Sequence, residues 1–515
     1  MGNTEEYRTP FFKGVSPSTL VERWKRHLQP LESSWPGLLQ FELDLGKKVG
    51  PLSIQKPLKD RILDIEAYYK GILLPSRPLD DSALDAVIRK WNQARGLAMR
   101  STSTTWDLMK KSTSSGSPKF VKRKLVARET QAALPVESHS TGDLWDKKGK
   151  TTMIQIKDQN SDQLYCAILG WRGQEGGPKP SDVKQRVVWM FPAAVNLQEL
   201  RVYQVITEVA QKFNLVPPWN GDEFVDREIT ELFRTKADSD PIVCTDFTKF
   251  DQHFNEDLQK AGHNIIQRLF NDSPEMVKWL RDVYGIKYSI PLLVGDGLMY
   301  FGHHGMGSGS GGTNADETLV HSALQYEAAL SHGSTLNPHS LCLGDDGILT
   351  YPGITVEDVM DTYTSHGLEM NASKQMVSTQ ECVFLRRWHS KNYTVNGICR
   401  GVYATTRALG RLCEQERYYD PEKWSREMVA LRQLSILENV KWHPLKEQFV
   451  DFCLKGDKYR LGLDLPGFLD RITLYAKESM EIRDDFLGYS QSQTGERLWN
   501  SISDWWIVKY LKSLR

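Results

Sequence analysis

Leu341-Cys342-Leu343-Gly344-Asp345-Asp346-Gly347-Ile348-Leu349-Thr350-Tyr351 is the stretch from which the rest of the chain takes its meaning. Two short apolar runs flank a Gly-Asp-Asp-Gly turn, the pattern of a β-hairpin with two carboxylates at its tip. Neighbouring carboxylates in a tight turn repel each other, and a bound divalent cation removes that penalty. Asp345 and Asp346 are therefore candidate metal ligands, with a solvated turn as the competing reading of the tripeptide by itself. A calcium loop begun at Asp346 fails: Glu357 falls at the closing ligand position, but Ile348 and Thr350 would be ligands and Tyr351 would stand where glycine is required.

Toward the N-terminus, Pro241-Ile242-Val243-Cys244-Thr245 reads as a strand ending on Asp246, and Leu258, Ala261, Ile265, Ile266 and Leu269 follow at helical spacing. Asp246 closes the strand and Asp251 lies about one turn into the next element. Acids closing adjacent strands could hold two cations, the arrangement that stabilises the attacking and leaving oxygens of an in-line phosphoryl displacement. Between them, Gly305-Met306-Gly307-Ser308-Gly309-Ser310-Gly311-Gly312-Thr313 opens a helix predicted over 313–330 and lets a backbone or phosphate approach closely. Gly307, Gly309 and Gly312 satisfy GxGxxG, yet a dinucleotide fold needs an acid about 20 residues on, and Asp345 lies too far away. No lysine follows the glycines, which excludes a Walker loop. Residues 286–294 and Leu298 to Phe301 read as strands joined by Gly295-Asp296-Gly297. Lys184-Gln185-Arg186-Val187-Val188-Trp189 puts two cations on one strand face, suited to a triphosphate, with an amphipathic edge strand as the plainer alternative.

The chain of 515 residues is 40% hydrophobic and 10% aromatic, too apolar for disorder and long enough for several subdomains. Its 65 basic and 65 acidic residues balance, but 89–128 carry eleven basic side chains against the single acid Asp107. Seven cysteines without a CxxC pair suggest a reducing compartment rather than a disulfide framework. The start lacks a signal pattern and no apolar run is long enough to span a bilayer, so the expectation is neither secretion nor membrane insertion. Residues 112–117 and 173–180 read as mobile loops, and the chain beyond 400 as helical, with segments at 424–437 and 499–514.

Taken in order, the KxR strand, D-x4-D, SG-xxx-T, GDD, a lysine in 367–374 and Phe384-Leu385-Arg386-Arg387 resemble motifs F, A, B, C, D and E of viral RNA-dependent RNA polymerases. The wording DFTKFD, SGSGGTNADE, CLGDDG and KQRVVWMFP is most similar to those of picobirnaviruses, with partitiviruses next; the similarity spans about 172–387 and is weaker in the flanks. It implies an α+β fold, a closed right hand of fingers, palm and thumb with an N-terminal extension bridging fingers and thumb. The expected divisions are an extension at 1–85, fingers at 86–240, palm at 241–260, a fingers insertion at 261–304, palm at 305–395, and thumb with C-terminal tail at 396–515. Asp246, Asp345 and Asp346 would ligate two Mg2+, with Mn2+ as substitute, and Lys374 would protonate the leaving pyrophosphate. Lys184, Arg186 and Arg172 would face the triphosphate, Asp251 the ribose 2′-hydroxyl, and Ser308, Gly309 and Thr313 the template and nascent pair.

Ser114-Ser115-Gly116-Ser117-Pro118-Lys119 loosely resembles motif G, past which template enters. Ser115, Pro118, Lys119, Lys122, Arg123 and Lys124 are thus expected to contact RNA, and Arg386 and Arg387 to grip the nascent strand. One departure stands out: four residues after the motif B Thr, many relatives carry Asn as partner of the second motif A Asp, and here Glu317 occupies that place. The implied partners are template and product RNA, ribonucleoside triphosphates and a viral capsid protein, with no membrane and a monomeric chain. The implied location is the virion interior and host cytoplasm, and the implied task is replicating and transcribing a double-stranded RNA genome. A non-catalytic RNA-packaging or nucleocapsid protein would explain the basic segment but not the acids. A reverse transcriptase would need an aromatic before the acid pair and a bulky gate in motif A, which Gly344 and Asp251 oppose.

Overall fold

The computed structural model describes residues 7–117, 119–132, 152–155, 166–295, 298–416, 422–482 and 501–515. Twelve strands among them are β1 (Thr152–Gln155), β2 (Ala167–Gln174), β3 (Lys184–Met190), β4 (Ile242–Thr245), β5 (Leu292–Gly295), β6 (Leu298–Phe301), β7 (Leu341–Leu343), β8 (Asp346–Leu349), β9 (Met376–Ser378), β10 (Glu381–Phe384), β11 (Arg387–Ser390) and β12 (Val402–Tyr403). They form sheets ordered β1-β6-β5-β2-β3, β7-β8-β4-β9 and β10-β11-β12. The expected strand over 286–294 starts only at Leu292. Ile286–Tyr288 is a 3-10 turn, because Pro291 has no N–H to give a ladder and Ile290 N–H closes back on the Ile286 carbonyl at 2.8 Å. Asp296 and Gly297 of the expected turn lie outside the described residues.

Two cores divide the helices. The larger gathers residues from Ile65 to Leu368 around the fully buried Trp189, Tyr284 and Phe254. The second joins the chain's two ends, Phe11, Trp24 and Leu38 with Leu409, Leu434, Phe449 and Leu511. Trp24 donates its indole N–H to Thr405 Oγ1 at 2.7 Å, and buried Glu42 accepts from the N–H groups of Thr405 (2.5 Å) and Thr406 (3.0 Å). That carboxylate caps helix Thr405–Cys413 and pins N-terminal helix Pro36–Gly46 onto it. The following segment crosses to β2 and β3: Lys56 N–H bonds Gln185 Oε1 at 3.1 Å, Arg61 bonds the Gly170 carbonyl at 2.7 Å, and Ser53 bonds the Glu416 carbonyl. Residues 7–61 therefore tie the C-terminal helices to the five-stranded sheet.

The two loops expected to be mobile are held. Ser114 bridges Lys122 in a short hairpin, and β2 runs on to Gln174 beneath the crossing segment, where backbone packs on backbone at Gly173 and Leu52. Two expected borders, 85/86 and 260/261, fall inside helices Asp81–Lys90 and Glu256–Leu269, whose buried faces continue across both. The C-terminal segments are helices Arg426–Glu438 and Trp506–Ser513; Trp499 lies outside the described residues. All seven cysteines are free and buried, and no described helix is long and apolar enough to cross a membrane.

Candidate active site

Helix Thr313–Leu330 is buried along most of its length and presents a polar line to the β7–β8 hairpin. Thr318 Oγ1 accepts the Gly344 N–H at 2.9 Å, His321 Nδ1 meets the Gly344 carbonyl at 2.8 Å, and the Gln325 amide donates to the Leu341 and Ile348 carbonyls at 2.9 and 3.3 Å. Gly344 has φ +58, the left-handed region that a turn of this sharpness requires and that glycine adopts freely. Burial pushes His321 down to about 4, so it is neutral and donates Nδ1–H to that carbonyl. The turn is thereby fixed from the helix side through its backbone, not through its two carboxylates.

β4 lies beside β8, with Thr245 opposite Gly347, so Asp246 follows the last pair of the ladder toward Asp346. The Gln375 side chain clasps Asp246 from both ends, accepting its N–H and donating to its carbonyl at 2.8 Å each. Asp346 Oδ2 accepts the Leu385 N–H at 2.7 Å, yet burial and the adjoining Asp345 raise its carboxyl to about 7. Asp345 reaches solvent within a recess whose walls, followed by the charge of Asp251, lift its carboxyl above the usual range while Arg186 opposes the shift. Glu317 is buried, and burial, the charge of Asp251 and a hydrogen bond to Asp251 push it well above the carboxylate range. The residue that departs from the family pattern therefore meets Asp251 in the place of the usual Asn.

The glycine loop is built into its surroundings. Trp189 N–H donates to Ser308 Oγ at 3.1 Å, any side chain at Gly309 would strike the Trp189 carbonyl oxygen, and Thr313 Oγ1 donates to the Gly307 and Ser310 carbonyls at 3.1 and 3.3 Å. The close approach foreseen for this loop is thus made by β3 of the same chain. Buried Glu199 and Asn196, from helix Ala193–Lys212, hold the other side. Glu199 accepts from the Ser310 hydroxyl and from Gly311 N–H (3.1 Å), and the Asn196 amide donates to the Gly309 carbonyl (3.1 Å).

On β3, Lys184 and Arg186 are exposed while Val187 and Trp189 are buried, as the alternation required. Arg172 faces Arg186 across the β2–β3 pair and is ion-paired with Glu416. Arg386 sits in a two-residue turn with Leu385, both at positive φ, and burial and then the nearby Arg407 lower it to about 10. Lys374 is exposed on the 3-10 turn Ala372–Lys374, one residue before the Gln375 clasp.

Three of the residues expected at RNA are engaged by the protein itself. Arg387 binds Asn439 and pairs with Asp222 at 3.3 Å. Arg123 donates to Asn196 Oδ1 at 3.0 Å and to the Ser114 carbonyl at 3.3 Å. Ser115 is buried, with its N–H on the Val121 carbonyl at 2.6 Å and its carbonyl accepting Ala193 N–H at 2.8 Å. These bonds occupy donors that a phosphate would otherwise take. Lys119, Lys122 and Lys124 remain exposed, and Pro118 lies outside the described residues.

Residues 178–404 match the family described as viral RNA-dependent RNA polymerase. A protein of Human picobirnavirus (strain Human/Thailand/Hy005102/-), described as a potential RNA-dependent RNA polymerase, is 52% identical over 519 residues, covering 100% of this chain and 95% of its own length. The chain belongs to the viral RNA-dependent RNA polymerases. The crystal structure of the RNA-dependent RNA polymerase of a human picobirnavirus has a TM-score of 0.88 and 50% identity, covering 99% of this chain and 94% of that one. That enzyme's insertion loop deletion mutant gives 0.87 and 50%, covering 100% and 94%. The polymerase is thus an RNA-directed RNA polymerase related to those of picobirnaviruses, which are double-stranded RNA viruses, and binds RNA and nucleotides in that capacity. The packaging-protein and reverse-transcriptase readings fall.

Among the polymerase's described residues, no three Asp, Glu, His or Cys side chains converge into a ready cation cage. The acids adjoin with few protein cations to neutralise them, which suits an ion that uses one or two carboxylates and completes its shell with phosphate and water, as Mg2+ does. Asp246, Asp345 and Asp346 would supply those carboxylates, one or two to each ion. Sequence reading missed Gln375, His321, Asn196 and Glu199. For His321 a signal existed, since Thr318, His321 and Gln325 form a polar stripe on an otherwise buried helix; for the other three none did.

Proposed function

We propose that this polymerase replicates and transcribes a double-stranded RNA virus genome by two-metal nucleotidyl transfer, working within a virion and the host cytoplasm as a monomer beside a capsid protein. The observation that carries the reading is the recess where Asp246, at the end of β4, adjoins the β7–β8 acids while the charge of Arg186 on β3 bears on Asp345. When bound there, divalent cations neutralise charge on the attacking and leaving oxygens. The chain's own groups do the rest. Exposed Lys184 and Arg186 hold the triphosphate, Arg172 joining them when it leaves Glu416, and Arg386 bears on the strand beside Asp346. Asp251, steadied by Glu317, accepts from the ribose 2′-hydroxyl, which a deoxynucleotide lacks. Lys374 gives a proton to departing pyrophosphate.

In right-hand terms, the sheet β7-β8-β4-β9 is the palm, β2 and β3 belong to the fingers, and the helices after residue 404 form the thumb. The link made by residues 7–61 supports the reading of an N-terminal extension that closes the hand. Incubating the protein with a homopolymer RNA, the complementary ribonucleotide and Mg2+ or Mn2+, without primer, tests the whole. Incorporation that rises with the cation and ignores deoxynucleotide supports it, and absence of product with either cation overturns it.

A further inference from the structure

Residues 111–117 and 119–124 pair as a small hairpin. Lys124 N–H bonds the Lys111 carbonyl (3.2 Å), Arg123 N–H that of Thr113 (2.9 Å), and Phe120 N–H closes the end on Gly116 at 2.9 Å. Its closed end is clamped to the start of helix Ala193–Lys212 through Ser115 and Ala193 and, one step back along the hairpin, through Arg123 and Asn196. On the exposed strand of that same end Phe120 is 54% exposed and has φ +54, a backbone state that a bulky residue occupies only against strain. Val121 is exposed next to it and Leu125 past the hairpin's open end, with Lys119, Lys122 and Lys124 exposed along the same strand; Asp107 is the sole acid between 89 and 128. An aromatic held outward on a rigid base, among cations with no interleaved acid, complements a polyanion carrying flat rings rather than a protein surface.

We propose that Phe120 is a stacking platform for an unpaired base of single-stranded RNA approaching the catalytic recess. The backbone of that strand runs along Lys119, Lys122 and Lys124, and the ring takes one base face to face, without reading its sequence, since every base has a π-face. Asn196 gives the site a direction, because it binds both Arg123 of the hairpin and the Gly309 carbonyl of the glycine loop. A strand stacked on Phe120 is thus led toward that loop. The inference rests on the reading of the basic segment as an RNA path, and the test separates the two.

Fluorescence anisotropy with a labelled homopolymer RNA, repeated over a salt series, reads affinity and ion release together. Phe120→Ala should weaken binding about five- to a hundredfold with the salt slope unchanged, because stacking releases no counterion. Phe120→Trp should bind like the parent, with its indole emission quenched by RNA. A ribose-phosphate strand lacking bases should bind parent and Phe120→Ala alike. Equal RNA affinity in parent and Phe120→Ala, or an equal loss on the base-free strand, overturns the stacking role; the first would leave the apolar tip to a protein partner. The Lys122→Ala, Lys124→Ala double variant tests the underlying path: its salt slope should fall by about 1.4, and an unchanged slope would overturn that path and the platform with it.

Discussion

At Asp345 the carboxylate serves nothing in the fold: the turn is held by Thr318, His321 and Gln325 through Gly344 and the flanking strands. Asp345→Asn should therefore leave the thermal melt unchanged and cut nucleotide incorporation by about a hundredfold or more, several kcal/mol of transition-state stabilisation; activity above about a tenth of the parent's would refute its role. His321 behaves oppositely. Held near 4 by burial, against about 6.5 in an unfolded chain, it is neutral in both states above that range and costs nothing. As pH falls from 6.5 to 4 the unfolded chain takes up a proton that the fold refuses, so stability drops by up to about 3 kcal/mol. Urea unfolding of parent and His321→Asn at pH 7 and 4.5 should show a shallower loss in the variant, and parallel losses would contradict a buried neutral imidazole. Asp345 was legible because chemistry concentrates charge where geometry alone would avoid it; Gln375 was not, since a polar side chain that clasps a distant backbone leaves no periodic trace.

Among elements, strands and helices that bury one face announced themselves. β4, the β7–β8 hairpin, Glu256–Leu269 and Thr313–Leu330 follow their apolar spacing, because burying such a face is most of what stabilises a short element. The loops did not. Composition alone makes 112–117 and 173–180 look free, whereas their order comes from partners far along the chain, Lys122 and Asn196 for one and the crossing segment near Leu52 for the other. The glycine loop is the sharpest case, since its conformation is written in Trp189, Asn196 and Glu199 more than in its own residues. Asn196→Asp keeps the acceptor for Arg123, loses the donor to Gly309 and Glu199, and sets a carboxylate against both. It should lower the rate of nucleotide addition about tenfold or more, as small misplacements near reacting groups do, and lower the melt as well, because two buried carboxylates then oppose each other. A rate equal to the parent's would show that the loop holds its shape without that bond.

For the molecule as a whole, the two chain ends share one core, and Glu42 is its polar centre. Its carboxylate, fully buried, takes the Thr405 and Thr406 N–H groups and His443 Nε2 (3.0 Å). Glu42→Ala strands those groups without water and should cost about 3 to 5 kcal/mol, read as a lower urea midpoint; a loss under 1 kcal/mol would mean that the helix end finds other partners. Neither Glu42 nor its partners, 363 to 401 residues away, carried a mark in the sequence, for end-to-end closure is a property of packing and not of pattern. The seven buried thiols sample these regions separately: Cys413 and Cys453 sit in the core shared by the ends, Cys244, Cys342, Cys382 and Cys399 around the acid-bearing sheet, and Cys166 beside β2. Burial also raises them, Cys244 and Cys413 to about 12, so alkylation must await exposure. The native chain thus carries its own clock. The order in which an alkylating reagent marks these positions, read by mass spectrometry, reports which part of the polymerase breathes open first and whether threaded RNA slows it.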